Sequence, residues 1–296
     1  MMQNDQTPPQ IFDRRRRRAR REARAPHFPK HDFLHRRAML DVVDRLETTK
    51  RSFPKAAFFG CGELINELTP ACGVEWLASF DDAPSRLPRK PSRAVMDDEA
   101  LALAPGSLDL IVSVLTLHAA NDLVGALAQA RMALKPDGLF IATIFGGDTL
   151  ADAKRAFLDA EIEISGGASM RFAPFGHIKD LGAALQRAGF AMPVADVDVV
   201  SVEYRSARNM FADLRGMGET NALARRPRPL ARRAAARAIT AIEGGAETRF
   251  ELITLTGWAP AASQPRPLQP GSARHSLAAA IADMSVQNAP GKDIKQ

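Results

Sequence analysis

Four groups of residues in this chain of 296 have types and spacing that suit chemistry: Gly60-Cys61-Gly62, the acids Asp81, Asp97 and Asp98, the imidazole of His118, and a run of arginines from Arg14 to Arg24. The glycines close a short apolar run, and a GxG turn lets backbone approach a ligand because glycine has no Cβ and reaches positive φ freely. Nineteen residues after Gly62, Asp81 ends a second apolar run, where a carboxylate can accept both hydroxyl protons of a ribose. Asp97 and Asp98 end a third, and Asp97 is placed to accept from an adenine amino group. Taken singly, each of these is as well explained by an ordinary loop with a surface carboxylate. Taken in register, they suggest an adenosine ligand bound by Gly60, Cys61, Gly62, Asp81, Asp97 and Asp98.

The elements that must position these residues read as alternating strands and helices. Apolar residues at helical spacing over residues 32–48 predict a leading amphipathic helix capped by Asp32. Strands are expected at 56–59, 74–80, 93–96, 108–115 and 139–145, with a helix at 63–68 and another from Asn121 to residue 134. The run 108–115 is apolar almost throughout, which suits a parallel strand buried on both faces. Helices at 149–160 and 178–188, strands at 194–204 and 250–258, and arginine-rich helical sequence between those strands complete the pattern. It is that of an α/β fold, a Rossmann-like doubly wound seven-stranded sheet with an N-terminal helix and helical insertions before the last strand. The expected organisation is a basic arm at 1–31, the main domain at 32–258 and a proline-containing tail at 259–296, with a last helical turn at 277–284.

In an open sheet of this kind ligands bind outside the carboxyl ends of the strands. A nicotinamide dinucleotide site would show GxGxxG, but Ile65 stands at the third glycine position. Glu63 would repel a phosphate while tolerating a sulfonium, so the departure favours S-adenosylmethionine. His118 follows the fourth expected strand and is a candidate general base, although most strand-end histidines are merely hydrogen-bonded. Asn121 and Asp122 either position a substrate or cap the next helix. Gly146, Gly147 and Asp148 either line a substrate entrance or form a plain loop. Arg171, Phe172, Pro174 and Phe175 suit a lid hinged at Gly166-Gly167, or a packed connection.

Composition bounds the rest. Apolar residues make up 46% of the chain, no apolar run reaches the length of a membrane span, and the first ten residues lack a signal-peptide stretch, so a soluble intracellular protein is expected. Two cysteines and six scattered histidines give no metal-ligand spacing. The net charge of +6 comes from the arginine run, which holds eight arginines and one acid, Glu22. That run reads as a solvated helix, a contact with an acidic partner or RNA, or a targeting sequence.

Longer stretches carry a family likeness. VSVLTLHAANDLVGALAQARMALKPDGLFIATIFGGDTL resembles methyltransferases of the malonyl carrier-protein and complex I assembly type. RFAPFGHIKDLGAALQRAGFAMPVADVDVVSVEY, DLRGMGETNAL, IFDRRRRRARREA, FELITLTGWAP and QPRPLQPGSA resemble the second group, that of the mitochondrial complex I assembly arginine hydroxylase and its bacterial methyltransferase relatives. The resemblance implies the class I methyltransferase fold, S-adenosylmethionine as cofactor and a protein substrate, a complex I subunit, in the bacterial cytoplasm or the mitochondrial matrix. The chain departs from the group's DLGxxTG turn, carries Ala119-Ala120 where the group has Trp-Val, and has Ala102 in place of a proline. Those departures keep open a non-enzymatic assembly factor with a degenerate pocket. An RNA methyltransferase is a further alternative; against it, the basic run has no interleaved aromatic for base stacking.

Overall fold

The computed structural model describes residues 10–89, 92–243 and 247–264. Its strands are β1 (Ala56–Phe59), β2 (Leu77–Asp81), β3 (Arg93–Val95), β4 (Leu108–Val114), β5 (Leu134–Phe145), β6 (Ala191–Val202) and β7 (Thr248–Trp258). They form one sheet in the order β3-β2-β1-β4-β5-β7-β6. β1 to β5 are parallel, and β7 runs antiparallel to both β5 and β6. The strand order reverses beside β1, which opens a crevice at the carboxyl ends of β1, β2 and β4. The expected doubly wound, Rossmann-like architecture is the one observed.

Helices α1 (Arg14–Arg24), α2 (Phe33–Thr49), α3 (Leu123–Ala133), α4 (Ala151–Ser165), α5 (Ile178–Arg187), α6 (Ala207–Met217) and α7 (Arg232–Glu243) flank the sheet. Side chains alternate across a strand, so each central strand feeds two cores. Ala56 and Phe58 of β1 and Leu110, Val112 and Val114 of β4 face α2 and α6. Ala57, Phe59 and Ile111 point the other way, against α3 and α5. α3 is lined by Ala126, Leu127, Ala130 and Ala133, whose spacing of one, three and four makes a narrow apolar stripe on the sheet.

Several boundaries differ from expectation for identifiable reasons. Residues 63–68 form a 3-10 turn, Gly62–Glu67, which ends at Leu68 in extended backbone, and Pro70 holds Thr69 extended after it. α3 is capped by Asp122, whose carboxylate accepts from the backbone of Gly125 at 2.8 Å, and not by Asn121. Asp32 precedes α2 without a side-chain capping bond. Within the described residues the basic segment packs on the domain through α1, where Arg21 pairs with Asp81 and Asp82. The helical turn expected at 277–284 lies outside the described residues. No described helix is long and apolar enough to cross a membrane.

The α3 contact offers a direct check of this packing. Leu127 is fully buried whereas Met132 on the same helix is 52% exposed. Leu127→Ala should lower the unfolding free energy in urea titrations by about 2–5 kcal/mol, and Met132→Ala by no more than about 0.5 kcal/mol.

Candidate functional site

Gly60 follows the last residue of β1 and has φ of 73°. A Cβ there would lie 2.3 Å from Thr116 Cγ2 and 2.5 Å from the Val114 carbonyl oxygen, so the bare backbone is required by the close passage of β4. The sequence had suggested ligand approach as the reason; the neighbour is protein. Cys61 is buried, with its thiol donating to the Phe59 carbonyl at 3.4 Å and pushed upward in pKa by burial. Asp81 ends β2 in full burial. Gly60, Asp81 and Asp98 do converge, together with Asp82, Thr116, Phe80 and Met96, around one hollow. Cys61, Gly62 and Asp97 do not line it, and Asp97 is 45% exposed.

That hollow is only about 10 Å³, because arginines fill the crevice. Asp13 starts α1 by accepting from the backbone of Arg16 at 2.9 Å. Positions 14, 17 and 21 then share one face of the helix. Arg21 is buried and donates from Nη1 to Asp82 and from Nη2 to Asp81, both at 2.9 Å. Arg17, also buried, lies 3.6 Å from Asp82 and 4.0 Å from Glu219. Arg14 pairs with Asp97 at 2.7 Å and Glu99 at 3.1 Å, and with Asp98. Arg15 and Arg18 point outward, so the run is a solvated helix on one side and an acid-binding one on the other. The acidic partner is the chain's own set of strand-end carboxylates.

Burial and pairing oppose each other in this cluster. Burial alone would raise Asp98, but Arg14 and Arg17 hold it down at about 2. Burial likewise works upward on Glu219, and His118 and Arg17 pull it well below the carboxylate range. Burial pushes Asp81 up, against the pull of Arg21 and Arg86. Removing one member of such a buried pair strands the other, at a cost of about 3–5 kcal/mol.

A second compartment adjoins the first. An apolar cavity of about 310 Å³ opens beyond the ends of β4 and β5, walled by Phe145, Phe157, Phe172, Phe175 and Phe211, with Ala119 also on its lining. At its inner end His118 Nε2 lies 2.9 Å from Glu219 Oε2, and the ring meets Phe145 and Phe175 edge-on at 4.8 and 5.4 Å. Burial lowers the His118 pKa against the pull of Glu219, which favours the neutral ring. With Glu219 accepting from Nε2–H, the Nδ1 lone pair is left free, and it has no partner among the described residues. Such a nitrogen can take a proton.

Other expected residues have structural duties. Asn121 clamps the backbone of Phe12, accepting from its N–H at 2.8 Å and donating to its carbonyl at 3.1 Å. Gly147 packs under His177, where a Cβ would come within 2.5 Å, and Gly146 under Glu251 and Ile253, as a tight connection. Arg171 is forked onto Glu161 at 2.9 and 2.7 Å, and Asn221 donates to its carbonyl at 2.6 Å, so this segment is tied down while Phe172 and Phe175 wall the cavity. Glu219 and Thr116 were not singled out by sequence reasoning, and Arg17 and Arg21 were not told apart from the rest of their run. Glu219 sits inside the string DLRGMGETNAL, which carried a likeness but no motif to give that carboxylate a role.

Comparison with known proteins gives the fold and site a context. A family described as a methyltransferase domain matches residues 60–142. The chain is 35% identical over 285 residues to the mitochondrial arginine-hydroxylase NDUFAF5 of Danio rerio, covering 90% of this chain and 88% of that one. It is 36% identical to the protein of the same name from Homo sapiens, covering 90% and 82%. A malonyl-[acyl-carrier protein] O-methyltransferase of Laribacter hongkongensis is 35% identical over 189 residues, 62% of each chain. Among solved structures, the YcgJ protein from Bacillus subtilis superposes with a TM-score of 0.51 at 13% identity, covering 75% of this chain and all of that one.

The match to a methyltransferase domain implies S-adenosylmethionine as cofactor. The donor set suits it: a carboxylate ending β2 and a second acid beyond β3, beside a bare glycine corner. The room does not, since a void of about 10–15 Å³ holds a single water and the Asp81 carboxylate is already engaged by Arg21. The cofactor and the docked α1 cannot share this place.

Two measurements probe the cluster. Asp98 is held below its unfolded value, so its contribution is full above about pH 4 and lost as pH falls toward 2. In urea titrations between pH 2 and 6, Asp98→Asn should therefore lose less stability on acidification than the parent chain. Gly60→Ala should destabilise by about 2 kcal/mol or more through φ strain and the clash with β4, as read by thermal melting without any ligand.

Proposed function

The chain belongs to the family of the mitochondrial arginine-hydroxylase NDUFAF5, and on that premise we propose that it modifies an arginine-bearing protein substrate within the cavity beside the strand-end crevice. The observation that carries this reading is the His118–Glu219 pair closing the inner end of an aromatic-walled cavity of about 310 Å³. Aromatic walls accommodate the aliphatic stem and planar head of an arginine, and exclude water from the reacting group. Glu219 holds the His118 ring in one tautomer, in which the buried Nδ1 is the proton-accepting nitrogen. The family resemblance of the later strings makes a complex I subunit the substrate of choice, in the cytoplasm of a bacterium or the matrix of a mitochondrion.

A second reading rests on the filled crevice. A protein whose own arginines occupy the adenosine place serves as an assembly factor that keeps the fold as a docking scaffold, with α1 as part of its core.

Mass spectrometry of complex I subunits separates the two. A strain lacking the chain should lose a modification on one arginine-containing peptide, and the parent chain should restore it. His118→Ala should restore it at least about 10²-fold less well, with Glu219→Gln intermediate. Unchanged modification in the deletion strain removes the enzyme reading and leaves the scaffold.

A further inference from the structure

We propose that α1 is a displaceable plug: Arg21 occupies at Asp81 the place of the cofactor's ribose, so that helix docking and S-adenosylmethionine binding are alternative states of one site. This rests on the cofactor reading above and adds a condition on it.

The geometry of the crevice supports an exchange of occupants. Arg21 spreads its two terminal nitrogens over Asp81 and Asp82, and the space between that guanidinium, Gly60, Phe59 and Phe80 has closed to about 10 Å³. Withdrawal of α1 would uncover Asp81, Asp82, Asp98 and Glu219 together. Asp82 and Asp98 would then lose their counter-charges, while Asp81 keeps Arg86 nearby and Glu219 keeps His118, and a cationic ligand relieves the cost that remains. The arm brings three positive charges to this seam and a sulfonium one of the same sign, while ribose hydroxyls can donate to the Asp81 carboxylate that Arg21 vacates.

The docked helix is also imperfectly satisfied. All three nitrogens of Arg17 are buried without a hydrogen-bond partner among the described residues, and the Nε of Arg21 shares that state. Unmade bonds on buried donors weaken the docked state and lower the cost of leaving it. The segments on either side hold more firmly: Phe12 is clamped by Asn121, and Phe28 is buried edge-on to His35 and beneath the Arg86 guanidinium. Those anchors are where the helix would pivot.

Amide hydrogen exchange of the full-length chain tests the proposal without any substitution. Saturating S-adenosylmethionine should speed exchange across residues 14–24 while the sheet becomes more protected. Calorimetric titration provides the second readout: a site competent only when α1 is away binds with an affinity reduced by that fraction. Arg21→Ala should bind S-adenosylmethionine at least 10-fold more tightly than the parent chain, and Arg15→Ala, on the outward side, equally well. Should Arg21→Ala fail to show a cooperative melt, Arg17→Ala takes its place with the same expectation. Binding with residues 14–24 as protected as before, or with equal affinity in parent and variant, overturns the plug and leaves the cofactor reading intact. No heat from either folded protein at millimolar S-adenosylmethionine removes both.

Discussion

The electrostatic seam between one face of α1 and the acids at the strand ends is the constraint on which the rest of the structure depends. Neither side of it is stable alone. Five consecutive arginines at 14–18 repel one another along a helix, and Asp81, Asp82 and Asp98 are too deeply buried to remain charged without partners. Brought together, each supplies the counter-charge the other lacks, and Asp13 provides the turn that starts the helix. The basic run is thus an internal component of the fold on one face, where Arg14, Arg17 and Arg21, three of its eight arginines, meet the acids.

Glu219 joins this seam to the neighbouring cavity. One of its oxygens receives the His118 ring, and the other faces Arg17 across 4.0 Å. The residue that orients the candidate base is therefore the one that senses the arm. Any shift of Arg17 changes the field at Glu219 and, through it, the basicity of His118. The two compartments are separate in shape and coupled in charge.

The sheet was legible in the sequence because its signal is local. The apolar run at 108–115 required burial on both faces, and β4 lies at the centre between β1 and β5. The acids ending β2 and β3 were legible too, as a consequence of strand direction. What fills the crevice was not, because Arg21 and Asp81 are 60 residues apart and no periodicity links them. The reason for Gly60 was hidden for the same cause: the atoms that demand a bare backbone belong to Val114 and Thr116 on another strand. Glu219 had no pattern to announce it, since its partner His118 lies 101 residues earlier. Pairings set by tertiary approach leave no trace in spacing.

The clamp of Asn121 on Phe12 and the burial of Phe28 fix the chain on both flanks of α1, which has a thermodynamic corollary. A tethered segment re-enters its seat at an effective concentration on the order of millimolar, set by tether length and indifferent to how dilute the protein is. A free competitor at that seat therefore works against a rival that dilution never removes, and occupancy follows the abundance of the small molecule rather than that of the protein.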